Sequence, residues 1–163
     1  PKRLGIRGGS NGGLLMGNMY TMRPDLWGAV VCQVPLLDMY RYSHLLAGNS
    51  WMAEYGNPDK SEEWSYLQKY SAYHNINTTL KYPPLLMTTS TRDDRVHPYH
   101  ARAFVDRMTM VQDAQINSGM NRGEIYYWEN IEGGHGGAAD NKQSAAQQTL
   151  VYDFLWKVLT RDM

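Results

Sequence analysis

Apolar positions along the chain fall into two kinds of run. Residues 3–7, 29–33, 85–90 and 124–128 form short apolar runs bounded by glycine, proline or polar clusters, the pattern of strands. Between them lie segments with helical spacing. Residues 11–21 predict a helix that stops before Arg23-Pro24, because proline disfavours helix in the residue preceding it. Residues 98–110 open with proline in the first turn and carry Ala101, Phe104, Val105 and Met108 at i, i+3, i+4 and i+7. Residues 142–160 place Ala146, Leu150, Phe154, Leu155 and Val158 on one stripe. Strands alternating with helices predict an α/β fold: about four parallel strands joined by right-handed crossovers. The excursion over residues 38–79 is too long and irregular for one crossover helix. It reads as an insertion of short helices, residues 60–69 among them, beside the sheet. No internal repeat or low-complexity segment interrupts the pattern.

Composition narrows the picture only slightly. A chain of 163 residues suits one domain with a sizeable core. Sixteen basic and sixteen acidic residues cancel, so no global field recruits nucleic acid or an anionic membrane. No apolar run reaches bilayer length, and residues 1–20 lack the pattern of a signal peptide. The single Cys32 excludes an internal disulfide and reads as a small buried thiol. Twelve Tyr and five Trp suit an aromatic-lined cleft and a well-filled core equally. Pro1-Lys2-Arg3 runs straight into a strand and a motif, with no opening element and no initiator Met. The expectation is a piece of a longer protein.

The motif is Gly8-Gly9-Ser10-Asn11-Gly12, G-x-S-x-G between a predicted strand and a predicted helix. A serine at so sharp a turn has a crowded backbone, so residues two positions away are expected to lack side chains. The turn lifts the hydroxyl out of the sheet and puts the Asn11 N–H where an oxyanion would form. A glycine-rich strand–helix turn can also cradle phosphate, but neither G-x-G-x-x-G nor a Walker lysine is present.

In an α/β fold with this turn, an acid and then a histidine follow the serine, each after a later strand. Asp93 and Asp94 both stand in the loop after the strand at 85–90, where ligands bind in such sheets. Position alone barely separates them. After the last strand, Gly133-Gly134-His135-Gly136-Gly137 offers a histidine on a flexible loop. His97 and His100 form H-x-x-H, yet nothing completes a metal site, so neither metal nor cofactor is expected. His44 and His74 lie in the insertion and read as structural. The expected chemistry is acyl transfer, with Ser10 as nucleophile and His135 as base.

Together, the segments Gly8 to Leu15, Arg23 to Gly28, Asp93-Asp94-Arg95-Val96 and Gly134-His135-Gly136 resemble the catalytic domain of the prolyl oligopeptidase family. The resemblance runs over nearly the whole chain. It implies the C-terminal portion of an α/β-hydrolase fold, with the family's β-propeller and first sheet strands lying before Pro1. It also implies a peptidase that cuts short peptides, after proline, and it places the acid at Asp93. Arg95 falls where an arginine binds a substrate carbonyl, and Trp51 where an indole stacks on the proline ring. Tyr55, Val96 and Leu36 fall on positions lining the same pocket. The upstream tyrosine that supplies the family's second oxyanion donor is missing from this chain. A basic-specific oligopeptidase, with Glu54 or Glu62 in its pocket, remains an alternative, as do an esterase or acylaminoacyl-releasing relative and a fragment that only folds. A strand at 4–7 without its outer neighbour exposes an edge and bare sheet faces, so self-association is expected.

Overall fold

The structure, a computed structural model, describes residues 1–119 and 123–161. Its strands are β1 (Gly5–Gly9), β2 (Ala29–Gln33), β3 (Leu85–Ser90) and β4 (Ile125–Asn130), and its helices α1 (Asn11–Met22), α2 (Met52–Tyr55), α3 (Ser61–Leu67), α4 (Tyr99–Asn117) and α5 (Asn141–Leu159). The four strands form one parallel sheet in chain order. Parallel neighbours need a crossover: α1 joins β1 to β2, the insertion with α2 and α3 joins β2 to β3, and α4 joins β3 to β4. Gly9 pairs with Gln33, Gln33 with Thr88 and Ser90 with Asn130, which aligns the C-terminal ends of the strands. The loops leaving β1, β3 and β4 therefore open along one edge.

Successive strand side chains point to opposite faces. Val30, Cys32, Leu85 and Met87 pack with Met16 and Tyr20 of α1 and with Ala101, Phe104 and Met108 of α4. Ala29, Val31 and Leu86 pack on the other face with Val151 and Phe154 of α5. Burial on both faces explains why residues 29–33 are apolar without alternation. Among the described residues no helix is long and apolar enough to cross a membrane.

The insertion is docked through one carboxylate. Asp38 is fully buried. Its Oδ1 accepts the N–H of Tyr40 at 3.0 Å and of Arg41 at 3.1 Å, while Oδ2 accepts Arg41 Nη1 at 2.8 Å and the Tyr99 hydroxyl at 3.3 Å. His100 Nδ1 accepts the N–H of Asp38 at 3.1 Å, which ties the start of the insertion to α4.

The element order follows the sequence pattern, and the ends differ for local reasons. β1 runs over Gly5–Gly9 rather than 3–7, because Gly8 and Gly9 carry no side-chain signal yet pair through their backbones with Cys32 and Gln33. α4 continues to Asn117 instead of stopping at 110. Its later core positions include the buried amides Gln112 and Gln115, which break the apolar stripe. The segment expected as one helix at 60–69 is α3 followed by a 3₁₀ turn, Gln68–Tyr70.

Candidate active site

Ser10 sits between the last residue of β1 and the first of α1, with φ 58° and ψ −117°. A non-glycine residue there carries roughly 1–3 kcal/mol of backbone strain. The surroundings hold it in place. Its N–H donates to the Gln33 carbonyl at 2.9 Å, and its own carbonyl accepts the Leu14 N–H at 3.0 Å. Gly8 is required by close approach, since a Cβ there would lie 2.4 Å from the Gly12 carbonyl oxygen. Gly12 corrects the expectation that both flanking glycines are forced: a Cβ there would have no neighbour within 4 Å. The glycine constraint falls instead on Gly13, whose Cβ would come within 2.8 Å of the Gln33 carbonyl oxygen. Asn11 opens α1, so its N–H belongs to the first turn, where no intrahelical carbonyl is available.

The three strand ends bring a hydroxyl, an imidazole and a carboxylate into line. His135 Nε2 lies 3.0 Å from Ser10 Oγ, and His135 Nδ1 lies 2.8 Å from Asp93 Oδ2. The Asp93 carboxylate is fully buried, and the imidazole is mostly so. Asp93 Oδ1 accepts the N–H of Arg95 and of Val96, each at 2.9 Å, so both carboxylate oxygens are engaged. A carboxylate accepting from Nδ1–H leaves the Nε2 lone pair facing the serine hydroxyl. Asp94, the other carboxylate open from sequence, is exposed. His135 itself stands in a turn closed by the Gly137 N–H donating to the Gly134 carbonyl at 2.9 Å.

Beside this line lies an apolar cluster drawn from the insertion. Leu36 and Val96 are buried in it, with Met39, Tyr42 and Leu67, and the half-buried Trp51 and Tyr55 pack against them. The Tyr55 hydroxyl donates to Asn11 Oδ1 at 2.6 Å, linking this cluster to the residue after Ser10, a coupling across 44 positions that spacing does not reveal. Arg95 is exposed at the rim.

The remaining histidines have local partners. His97 Nδ1 accepts the Tyr99 N–H at 3.0 Å, and His44 pairs with Asp59 at 3.1 Å. His74 Nδ1 lies 2.8 Å from Ser71 Oγ. Burial pushes the His100 imidazole down to about 4, with Asp38 opposing that shift and His97 adding to it.

The model of the prolyl oligopeptidase family matches residues 1–162. An uncharacterized peptidase of Sinorhizobium fredii is 47% identical over 156 residues, 96% of this chain and 20% of its own length. The prolyl endopeptidase of Dictyostelium discoideum is 31% identical over 158 residues, 96% of this chain and 20% of its own. A post-proline cleaving enzyme from Rickettsia typhi has a solved structure that superposes with a TM-score of 0.85 at 41% identity, covering 98% of this chain and 22% of that one. The chain thus spans about a fifth of the length of the curated relatives it matches. Its four parallel strands and their helices are those of the α/β-hydrolase catalytic domain in these peptidases, and the chain belongs to the prolyl oligopeptidase family.

Proposed function

We propose that the chain carries the nucleophile, base and acid of a serine peptidase that cuts short peptides after proline. The unbroken line from Ser10 Oγ through His135 to the buried Asp93 carboxylate carries this reading. His135 Nε2 takes the Ser10 proton as Oγ bonds to the scissile carbonyl carbon, and the Asn11 N–H faces the oxygen that gains charge. As the C–N bond breaks, His135 returns the proton to the leaving amine. Water then adds to the acyl-enzyme by the same route and releases the peptide acid. Asp93 holds the imidazole tautomer and stabilises its charged form. Arg95 takes a substrate carbonyl, and Trp51 offers a flat apolar face to a pyrrolidine ring, with Leu36, Tyr55 and Val96 around it.

Titration with a fluorophosphonate probe tests the assignment. Ser10 should be modified, Ser10→Ala should not, and Asp93→Asn should slow the reaction by about 10²–10⁴-fold. Equal slowing in Asp94→Asn would move the acid, and modification that survives Ser10→Ala would remove the nucleophile.

The same reading includes self-association. Among the described residues, β1 pairs on one side only, with β2. Leu4 is exposed, and a wide apolar concavity on the outer face of α5 exposes Tyr152 and Trp156. An unpaired edge and an apolar face of this kind are commonly covered in solution.

A further inference from the structure

We propose that Asn130 is a positioning residue that sets His135 against Ser10 and Asp93. This rests on the serine-peptidase reading above. Asn130 ends β4, five residues before the histidine, and its side chain is buried. All four hydrogen-bonding positions of its amide are used. Oδ1 accepts the N–H of Glu132 at 2.9 Å and of Gly133 at 3.2 Å. Nδ2 donates to the Gly137 carbonyl at 2.8 Å and to Gln143 Oε1 at 2.7 Å. The turn that carries His135 runs from Gly134 to Gly137. One amide therefore grips the residue before that turn and the residue that closes it.

The surroundings are built to this amide. A Cβ on Gly133 would lie 2.9 Å from Asn130 Nδ2 and equally from the Ala138 nitrogen and the Gly137 carbonyl carbon, so the amide and the turn close together around this glycine. Gln143, in the first turn of α5, accepts from Asn130 and from the Ala139 N–H at 2.9 Å, and its own amide donates to Glu132. The Asn130 backbone reaches the acid as well. Its carbonyl accepts the Thr91 N–H at 2.8 Å, and its strand partner is Ser90, whose carbonyl accepts the Asp93 N–H at 3.2 Å. Residue 130 is thus fastened to the loop of the base through its side chain and to the loop of the acid through its main chain. A buried amide with every position satisfied has one low-energy orientation, which is what a loop rich in glycine lacks by itself.

Two readouts on the full chain separate positioning from general stability. One is the downfield Nδ1–H proton resonance of His135, which reports the bond to Asp93 whether or not Ser10 reacts. The other is the rate of Ser10 modification by a fluorophosphonate. Asn130→Ala should remain folded, lose that resonance and react about 10²-fold more slowly, the scale of a misplacement near 1 Å. Asn130→Asp keeps the accepting oxygen but turns a second acceptor toward Gly137, and should be slowed about tenfold or more. Gln143→Ala removes one of the four bonds to Asn130 but leaves those to the turn, and should lose less of the resonance and of the rate than Asn130→Ala does. A wild-type resonance and rate in Asn130→Ala would overturn the proposal. If Asn130→Ala does not fold, wild-type behaviour of Asn130→Asp would do so equally. Loss of the resonance in Gln143→Ala as large as in the Asn130 variants would show a loop held as a whole rather than through Asn130. A wild-type chain that keeps the resonance but resists the probe would count against the peptidase reading and leave the spectroscopic comparison intact.

Discussion

At Gly8 a single methyl group separates two outcomes that the G-x-S-x-G pattern treats alike. An alanine Cβ there meets the Gly12 carbonyl oxygen at 2.4 Å, whereas one at Gly12 meets nothing within 4 Å. Gly8→Ala should therefore cost roughly 1–3 kcal/mol, the range for overpacking. Gly12→Ala, inside the first turn of α1, should be neutral or stabilising by up to about 1 kcal/mol. Urea unfolding of the two variants side by side distinguishes them, and equal losses would contradict the packing of the turn. Trp51 bears on specificity. Trp51→Ala should weaken turnover of proline substrates by about 1–3 kcal/mol of transition-state binding, the scale of a small apolar contact. Lysine or arginine substrates turned over faster than proline ones by the unaltered chain would shift the reading to a basic-specific peptidase. At this scale the sequence separated glycine from its neighbours but not one glycine's reason from another's, because close approach depends on what the fold brings near.

Between elements, the junction of the insertion with α4 carries the clearest pH dependence. His100 is almost wholly buried, and its Nδ1 accepts the N–H of Asp38. Burial holds its folded pKa near 4, below the ordinary 6.5, with the Asp38 carboxylate favouring the charged ring and His97 disfavouring it. The unfolded chain thus takes up this proton first as pH falls. The stabilisation is complete above about pH 6.5, shrinks between about 6.5 and 4, and is gone below that, a total of about 3 kcal/mol. His100→Asn keeps an acceptor near the position of Nδ1 and does not titrate. Unfolding free energies from urea titrations at pH 7 and pH 4.5 should differ less in this variant, by about 2–3 kcal/mol. An undiminished difference would place the acid sensitivity elsewhere. Strand and helix order were legible in the sequence because burial on both faces of β2 and β3, and stripes on α4 and α5, leave a direct trace. The anchoring of the insertion was not. Ser71 accepts the Met39 N–H across 32 positions, Asp38 the Tyr99 hydroxyl across 61 and His100 the Asp38 N–H across 62, and only the fold supplies such partners. The turns at Ser10 and His135 were legible for the opposite reason: both are rich in glycine, although only some of those glycines, Gly8 and Gly13 near the serine and Gly133 and Gly137 near the histidine, are held to glycine by close approach or a positive φ. Asp93 and Asp94 differ only in direction, which the two N–H groups of Arg95 and Val96 decide.

For the whole molecule, the half-paired β1 and the bare outer face of α5 lead to a prediction about size in solution. Sedimentation should find a dimer or larger assembly, and Leu4→Lys or Trp156→Lys should shift it toward monomer, since charge on an edge or an apolar face opposes pairing. A monomer at all concentrations, unchanged by either variant, would remove self-association from the reading. The strand order has another consequence, which concerns time. Ser10 and His135 make their contact across 125 positions of chain. At roughly 5–20 residues per second, a ribosome completes the base about 6–25 s after the nucleophile. Throughout that interval the hydroxyl is an ordinary alcohol. The strained backbone around it can be laid down by β1, α1 and β2, but no proton acceptor stands opposite until β4 is in place and its loop has closed. On the assignment proposed above, a nascent chain cannot cut its neighbours during that interval, and the first moment at which Ser10 reacts with a probe marks the moment at which β4 and the loop after it are in place.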